Sequence, residues 1–186
     1  MEKTSAKFVL FEKAMDLFRQ NGYENVTVQQ ICAEASVTRN AFYYYFNSKE
    51  ALLSSYFENV PNFTQKLLVD ILKLPNDWEK LRYLIEAHMK QIEREGISIS
   101  RAFIKVSMEC GGDLLARYSV SETVTVPLVR SCQLAGLIRN LTEPEWLVYL
   151  ATRLMLGILV TWCCKNGGFD LLAVSREAFE GLMQPV

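Results

Sequence analysis

Three hydroxyl residues, Thr27, Thr38 and Ser48, each stand directly before a short apolar-periodic run. Each is a helix N-cap by type: its side-chain oxygen can accept a hydrogen bond from a first-turn amide that has no helical partner. Thr27 opens a helix over Val28–Ala35 whose inward stripe is Val28, Ile31 and Cys32. Thr38 opens one over Arg39–Phe46, and Ser48 opens one running to about Asn59. Ser36-Val37 is the turn between the first two, and two short helices joined this way make a helix-turn-helix. Ahead of them, Phe8, Phe11, Met15 and Phe18 recur at helical steps, so an amphipathic helix covers residues 5–21 and ends at Asn21-Gly22.

The helix after Thr38 contains Tyr43, Tyr44 and Tyr45 in a row. At about 100° per residue, Ala41, Phe42, Tyr45 and Phe46 share one half of the helix, and Arg39, Asn40, Tyr43 and Tyr44 share the other. One half suits a core. The other offers a cation, an amide and two phenols, a set that suits a DNA major groove. Arginine pairs with guanine O6 and N7 and asparagine with adenine N6 and N7, while tyrosine hydroxyls donate to phosphate. Thr27 and Lys49 sit at the starts of flanking helices, where backbone amides attract phosphate. The other reading of the same positions is a solvated polar face on a small three-helix core.

The segment LFEKAMDLFRQNGYENVTVQQICAEASVTRNAFYYYFNSKEALL resembles the N-terminal domain of the TetR family of transcriptional repressors. The resemblance spans roughly residues 10–53. It is carried by Leu17-Phe18, Gly22-Tyr23, Thr27-Val28, Ile31, Ala35, Val37, the run Phe42–Phe46, and Ser48-Lys49-Glu50 with Leu52. Carried over by position, it implies that Thr27, Thr38, Tyr43, Tyr44 and Lys49 contact phosphate and that Arg39 and Asn40 read bases. The sequence departs from the family at Asn40, where Gly is frequent, at Ala41, where Thr or Ser is, and at Ser36, where Gly is common. The operator sequence does not follow from the resemblance.

Net charge neither points to nucleic acid nor excludes it. The chain has 186 residues, 20 Lys plus Arg, 21 Asp plus Glu, and a formal net charge of -1. Residues 1–50 hold six basic side chains (Lys3, Lys7, Lys13, Arg19, Arg39, Lys49) and six acidic ones (Glu2, Glu12, Asp16, Glu24, Glu34, Glu50). A DNA-binding reading therefore rests on where charges are placed. Five cysteines without a C-x-x-C spacing, and a single histidine, leave no metal site of usual spacing and imply no cofactor. Free thiols and an N-terminus without an apolar leader lead us to expect a cytoplasmic protein.

The rest of the chain also reads as helix, with nine Gly and five Pro in all. Helices are expected near 62–73, 77–95, 98–110, 113–138, 144–165 and 170–183. The fold class is therefore all-α, with a helix-turn-helix DNA-binding domain over residues 1–60 and a helical effector-binding and dimerisation domain over 61–186. The stretch Trp146–Cys164 is apolar apart from Arg153, and its length could span a bilayer. A mid-helix arginine costs roughly 2.5–3.5 kcal/mol there. A helix buried on several sides in a protein interface is the preferred reading, with no membrane partner.

In the family the second domain binds a small molecule and dimerises. We expect Leu150, Leu154, Gly157, Ile158 and Thr161, continued by Phe179 and Leu182, to form the stripe that meets a second copy; packing within one subunit is the alternative. A pocket for an unidentified effector would draw on Tyr83, His88, Phe103, Met108, Arg117, Tyr118 and Trp162, with Cys110 nearby. His88 and Arg117 have simpler readings as a surface or satisfied core group and as a salt-bridge partner. Cys163-Cys164 reads as a pair of small hydrophobes before it reads as a redox pair. The expected function is a ligand-responsive, homodimeric regulator, a repressor released from a palindromic double-stranded operator by a small molecule. An all-helical enzyme lacks any nucleophile–base pair or phosphate loop in this sequence. A helical interaction module without DNA binding is disfavoured by the polar outer half of the Thr38 helix.

Overall fold

The computed structural model describes residues 6–58, 67, 69–109 and 122–186. Among them every named element is a helix: α1 (Ala6–Asn21), a short 3-10 turn (Tyr23–Asn25), α2 (Val28–Glu34), α3 (Arg39–Tyr45), α4 (Lys49–Glu58), α5 (Asp77–Glu109), α6 (Glu122–Leu134), α7 (Pro144–Cys164) and α8 (Leu171–Met183). The chain forms two compact units. One is Met1–Asn59 with Glu95–Leu115, the other Val60–Arg94 with Ala116–Val186, each as far as the described residues go. Residues 95–109, expected from the sequence in the second domain, group with the first unit.

The caps act as expected in the first unit. Thr27 Oγ1 accepts from Gln30 N at 3.3 Å while Gln30 Oε1 accepts from Thr27 N at 2.8 Å, a reciprocal capping box. Thr38 Oγ1 accepts from Ala41 N at 3.2 Å and Ser48 Oγ from Ala51 N at 3.1 Å. Leu10, Ala14, Met15 and Phe18 of α1 are buried with Ile31, Cys32, Phe42, Phe46, Leu52 and Leu53. Phe8 departs from the expected stripe: it is 47 % exposed, and Leu10 is buried instead.

Ser36 turns the chain between α2 and α3 with φ 54. Its amide donates to Ala33 O at 3.2 Å and that of Val37 to Cys32 O at 3.0 Å. This is the paired C-terminal capping pattern in which a left-handed residue closes the helix.

The two helices expected over 77–95 and 98–110 meet at Gly96, whose φ of 81 and ψ of 171 are not helical. The second half docks within the first unit. Arg19 Nε donates to the buried Glu95 at 3.0 Å, Tyr23 N to Ser98 Oγ at 2.9 Å, and Lys105 pairs with Glu24 at 3.7 Å.

In the second unit α7 packs between α6 and α8. Leu147, Val148, Ala151, Met155, Leu159, Trp162 and Cys163 form its inward stripe. α7 is the one described helix long and apolar enough to cross a membrane by length and composition. Its Arg153 lies 4.1 Å over the Tyr149 ring, which itself stacks on Trp146 at 5.0 Å. The helix expected over 113–138 ends at Leu134 because Gly136, at φ 64, closes it: Gly136 N donates to Gln133 O at 3.1 Å and Leu137 N to Cys132 O at 2.9 Å.

A backbone clasp then joins both ends of the α7–α8 pair. Arg139 N donates to Gln184 O at 2.8 Å and Val186 N to Leu137 O at 3.1 Å, around an isolated Ile138–Pro185 bridge.

Candidate nucleic-acid interface

α3 presents the division that its sequence implies. Phe42 is buried and Tyr45 half-buried, while Arg39 and Asn40 are exposed. Tyr43 is 45 % and Tyr44 81 % exposed. The aromatic run is stiffened by edge contacts, Phe42 to Tyr43 at 5.4 Å and Tyr44 to Tyr45 at 4.9 Å. The Arg39 guanidinium lies 6.0 Å from the Tyr43 ring centre, so the two span one turn of the same outward face.

Beside this face lies a cleft lined by Glu24, Val26, Thr27, Val28, Tyr43, Asn47, Ser48, Lys49 and Glu50. It gathers three of the expected phosphate contacts, Thr27, Tyr43 and Lys49, from three different elements. It also includes the start of α4, where the helix dipole favours an anion. Thr38 is exposed at the start of α3, and Tyr44 is on the same helix outside the cleft.

Lys49 is half-buried, and its ammonium is committed to the fold. It donates to Tyr23 O and to Val26 O, each at 2.9 Å, and lies 4.1 Å over the Tyr23 ring. An ammonium has three hydrogens, so one remains for the cleft. Tyr23 is buried, packs edge-on against Phe18 at 4.9 Å, and donates its hydroxyl to Glu50 Oε1 at 3.1 Å. Burial first, and then Glu50, push the Tyr23 phenol far above its ordinary value. Burial works against the charge of Glu50. Its own amide, Ser48, Tyr23 and Lys49 outweigh that cost and hold its carboxyl below the usual range. The sequence pointed to Thr27, Tyr43 and Lys49 but not to Tyr23, Asn47 or the two carboxylates of the cleft. The available signal for Asn47 and Glu50 was their position beside the Ser48 cap; Tyr23 and Glu24, more than twenty residues away, carried none.

The other expected sites are more scattered. Of the effector-pocket set, Phe103 and Met108 belong to the first unit, where Phe103 is buried and Met108 is 69 % exposed. Tyr83, His88 and Trp162 belong to the second. Tyr83 packs against the Leu67, Ile71 and Leu84 cluster and donates to Asp70 at 3.3 Å. Part of His88 remains exposed, yet burial of its imidazole pushes the pKa down to about 4. Trp162 is on the inward stripe of α7. Arg117 and Tyr118, with Cys110, lie outside the described residues.

Of the interface stripe, Leu154, Gly157 and Thr161 are exposed on α7, and Leu150 and Ile158 are half-exposed beside them. Leu182 is half-exposed on α8. Phe179 is a correction: it is 2 % exposed and stacks on Trp78 at 5.9 Å, so it belongs to the core of its own subunit. The outer side of α8 runs instead through Val174, Glu177 and Gly181. Cys163 is buried and Cys164 exposed, so the two adjacent thiols point to different surroundings.

The family model for bacterial regulatory proteins of the tetR family matches residues 10–56. The HTH-type transcriptional regulator YuxN of Bacillus subtilis is 49 % identical over 47 residues, a match covering 25 % of this chain and 16 % of that protein. The fatty acid metabolism regulator protein of the same organism is 22 % identical over 199 residues, covering 100 % of this chain and 98 % of its own. Among solved structures, Thermus thermophilus FadR, a TetR-family repressor in complex with lauroyl-CoA, has a TM-score of 0.74 at 19 % identity, over 95 % of this chain and 92 % of that one. The capped helices, the divided α3 and the cleft beside it thus occupy the stretch, residues 10–56, that matches the family model for bacterial regulatory proteins of the tetR family.

Proposed function

We propose that this chain is a ligand-responsive transcriptional regulator of the cytoplasm, a homodimer that binds a two-fold symmetric DNA site and represses until a small molecule releases it. The observation that carries the reading is the convergence of Thr27, Tyr43 and Lys49 on one cleft beside the exposed Arg39 and Asn40. The cleft takes phosphate and fixes register, and Arg39 and Asn40 read base edges. Thr38 and Tyr44 extend the phosphate contacts along α3. The exposed stripes of α7 and α8 pair with a second copy. Binding a two-fold symmetric site then calls for two copies of α3 on successive major-groove faces about 34–36 Å apart.

The effector class we propose is a fatty acyl-CoA ester. Its support is the full-length match to a fatty acid metabolism regulator and the lauroyl-CoA held by a solved relative of the same fold. Selection of bound fragments from genomic DNA, followed by titration of the complex with lauroyl-CoA, tests both parts. No enriched fragment would remove the DNA-binding reading. An enriched fragment that lauroyl-CoA and longer acyl-CoA esters fail to release would remove the effector class alone.

A further inference from the structure

The cleft that gathers Thr27, Tyr43 and Lys49 also carries two carboxylates, Glu24 and Glu50. A groove shaped only to attract phosphate would hold neither, because a like charge beside an anion raises its free energy at ordinary salt. Both have a partner in the fold. Glu24 pairs with Lys105 at 3.7 Å, and Glu50 accepts the Tyr23 hydroxyl hydrogen at 3.1 Å. Tyr23 also governs the neighbouring cation, since Lys49 donates to its carbonyl and lies over its ring. One buried residue therefore engages a positive and a negative charge of the same cleft through different atoms, its carbonyl and ring for Lys49 and its hydroxyl for Glu50. A carboxylate in the first turn of α4 does stabilise that helix, but the helix dipole alone calls for no buried phenol to aim it.

We propose that Glu50, with Glu24 beside it, sets the phosphate affinity of this cleft as a fixed negative charge that limits binding to DNA of any sequence, and that Tyr23 is the residue that positions it. The proposal rests on the DNA-binding reading above. Residues 1–50 carry six cations and six anions, so long-range attraction to the DNA backbone is already small. The cleft carboxylates reduce it further at the point of contact, which leaves retention on DNA to the base contacts of α3. Without the Tyr23 hydroxyl, the Glu50 carboxylate can turn to Lys49, the cation the phosphate needs.

The test is binding of the full chain to a short mixed-sequence duplex, by fluorescence anisotropy across a range of salt concentrations. Glu50→Gln keeps an acceptor for Tyr23 and removes the charge. It is expected to tighten binding about 3- to 10-fold near 0.1 M salt. The log–log salt slope should steepen by about one. Tyr23→Phe is expected to weaken binding, and the Tyr23→Phe, Glu50→Gln double variant to recover it. A purely structural role predicts weakening in both single variants, so the opposite signs decide. Tightening cannot come from misfolding. Should Glu50→Gln melt early, the exposed Glu24→Gln is expected to show the same tightening. Unchanged or weaker binding in a folded carboxylate variant overturns the proposal and leaves the DNA-binding reading standing. A wild-type chain that binds no duplex overturns both.

Discussion

Arg39 and Tyr43 lie one turn apart on α3, yet they have different parts in the proposed complex. Arg39→Ala should weaken operator binding and relax preference at one base pair per half-site by about 1–3 kcal/mol. Tyr43→Phe should weaken all sequences alike by about 1 kcal/mol, the net value of one hydrogen bond. A panel of single-base operator variants measures the difference, and an unchanged ranking in Arg39→Ala would take base reading away from that residue. Ser36 makes a separate prediction. It holds φ 54 in the turn before α3, a region that costs a non-glycine residue about 1–2 kcal/mol. Glycine removes that cost but adds freedom to the unfolded chain, worth about 0.4–1 kcal/mol the other way. Ser36→Gly should therefore stabilise the protein by about 0.5–1 kcal/mol, read as a shift of the denaturation midpoint at constant slope.

At the scale of elements, α7 joins two faces of different character. Its inward stripe packs on α6 and α8, while Trp146, Tyr149, Leu154 and Val160 stay exposed. Gly157 lies among the exposed positions, and a Cβ added there meets nothing within 4 Å in its own subunit. Gly157→Trp should therefore leave the subunit folded, with native helicity and melting, while light scattering shows loss of the dimer. A variant that remains a dimer and binds the operator would move the interface elsewhere.

The caps and the division of α3 were legible in the sequence because both are set locally, by one side chain and its helical spacing. Phe179 was not. Apolar residues on both sides of α8 satisfy the same periodicity, and only the ring of Trp78, distant in sequence, decides which side is core. The end of α6 was misplaced for a related reason: apolar residues continue past Leu134, but the left-handed Gly136 stops the helix. The cleft was legible in part. Thr27, Tyr43 and Lys49 are of types that bind phosphate, whereas Tyr23 acts through hydrogen bonds to residues of other elements.

For the molecule as a whole, the single histidine makes stability depend on pH. In the unfolded chain its imidazole takes up a proton near the ordinary value of 6.5, and in the fold only near 4. Between those values the unfolded state binds more protons, so stability is full above the higher value and falls as pH drops toward the lower. With part of the residue exposed, the loss should be about 1–3 kcal/mol. Urea unfolding at a series of pH values measures it, and His88→Gln should flatten the profile through this window. A wild-type curve that is level across the window would show that the ring is not enclosed in the fold.

The backbone clasp between residues 137–139 and 184–186 has a consequence for how the molecule assembles. It closes a loop around α7 and α8, whose contacts are near in sequence, so little chain entropy stands against forming the pair. The face proposed to meet a second copy can then be complete before that copy arrives. Refolding from denaturant should run in two phases: a fast gain of helicity independent of protein concentration, then a slower step whose rate rises with concentration as subunits join. Deleting Pro185 and Val186 removes the Val186–Leu137 half of the clasp and the Ile138–Pro185 bridge, and should slow the first phase while leaving the concentration dependence of the second, because the exposed stripe of α7 is untouched.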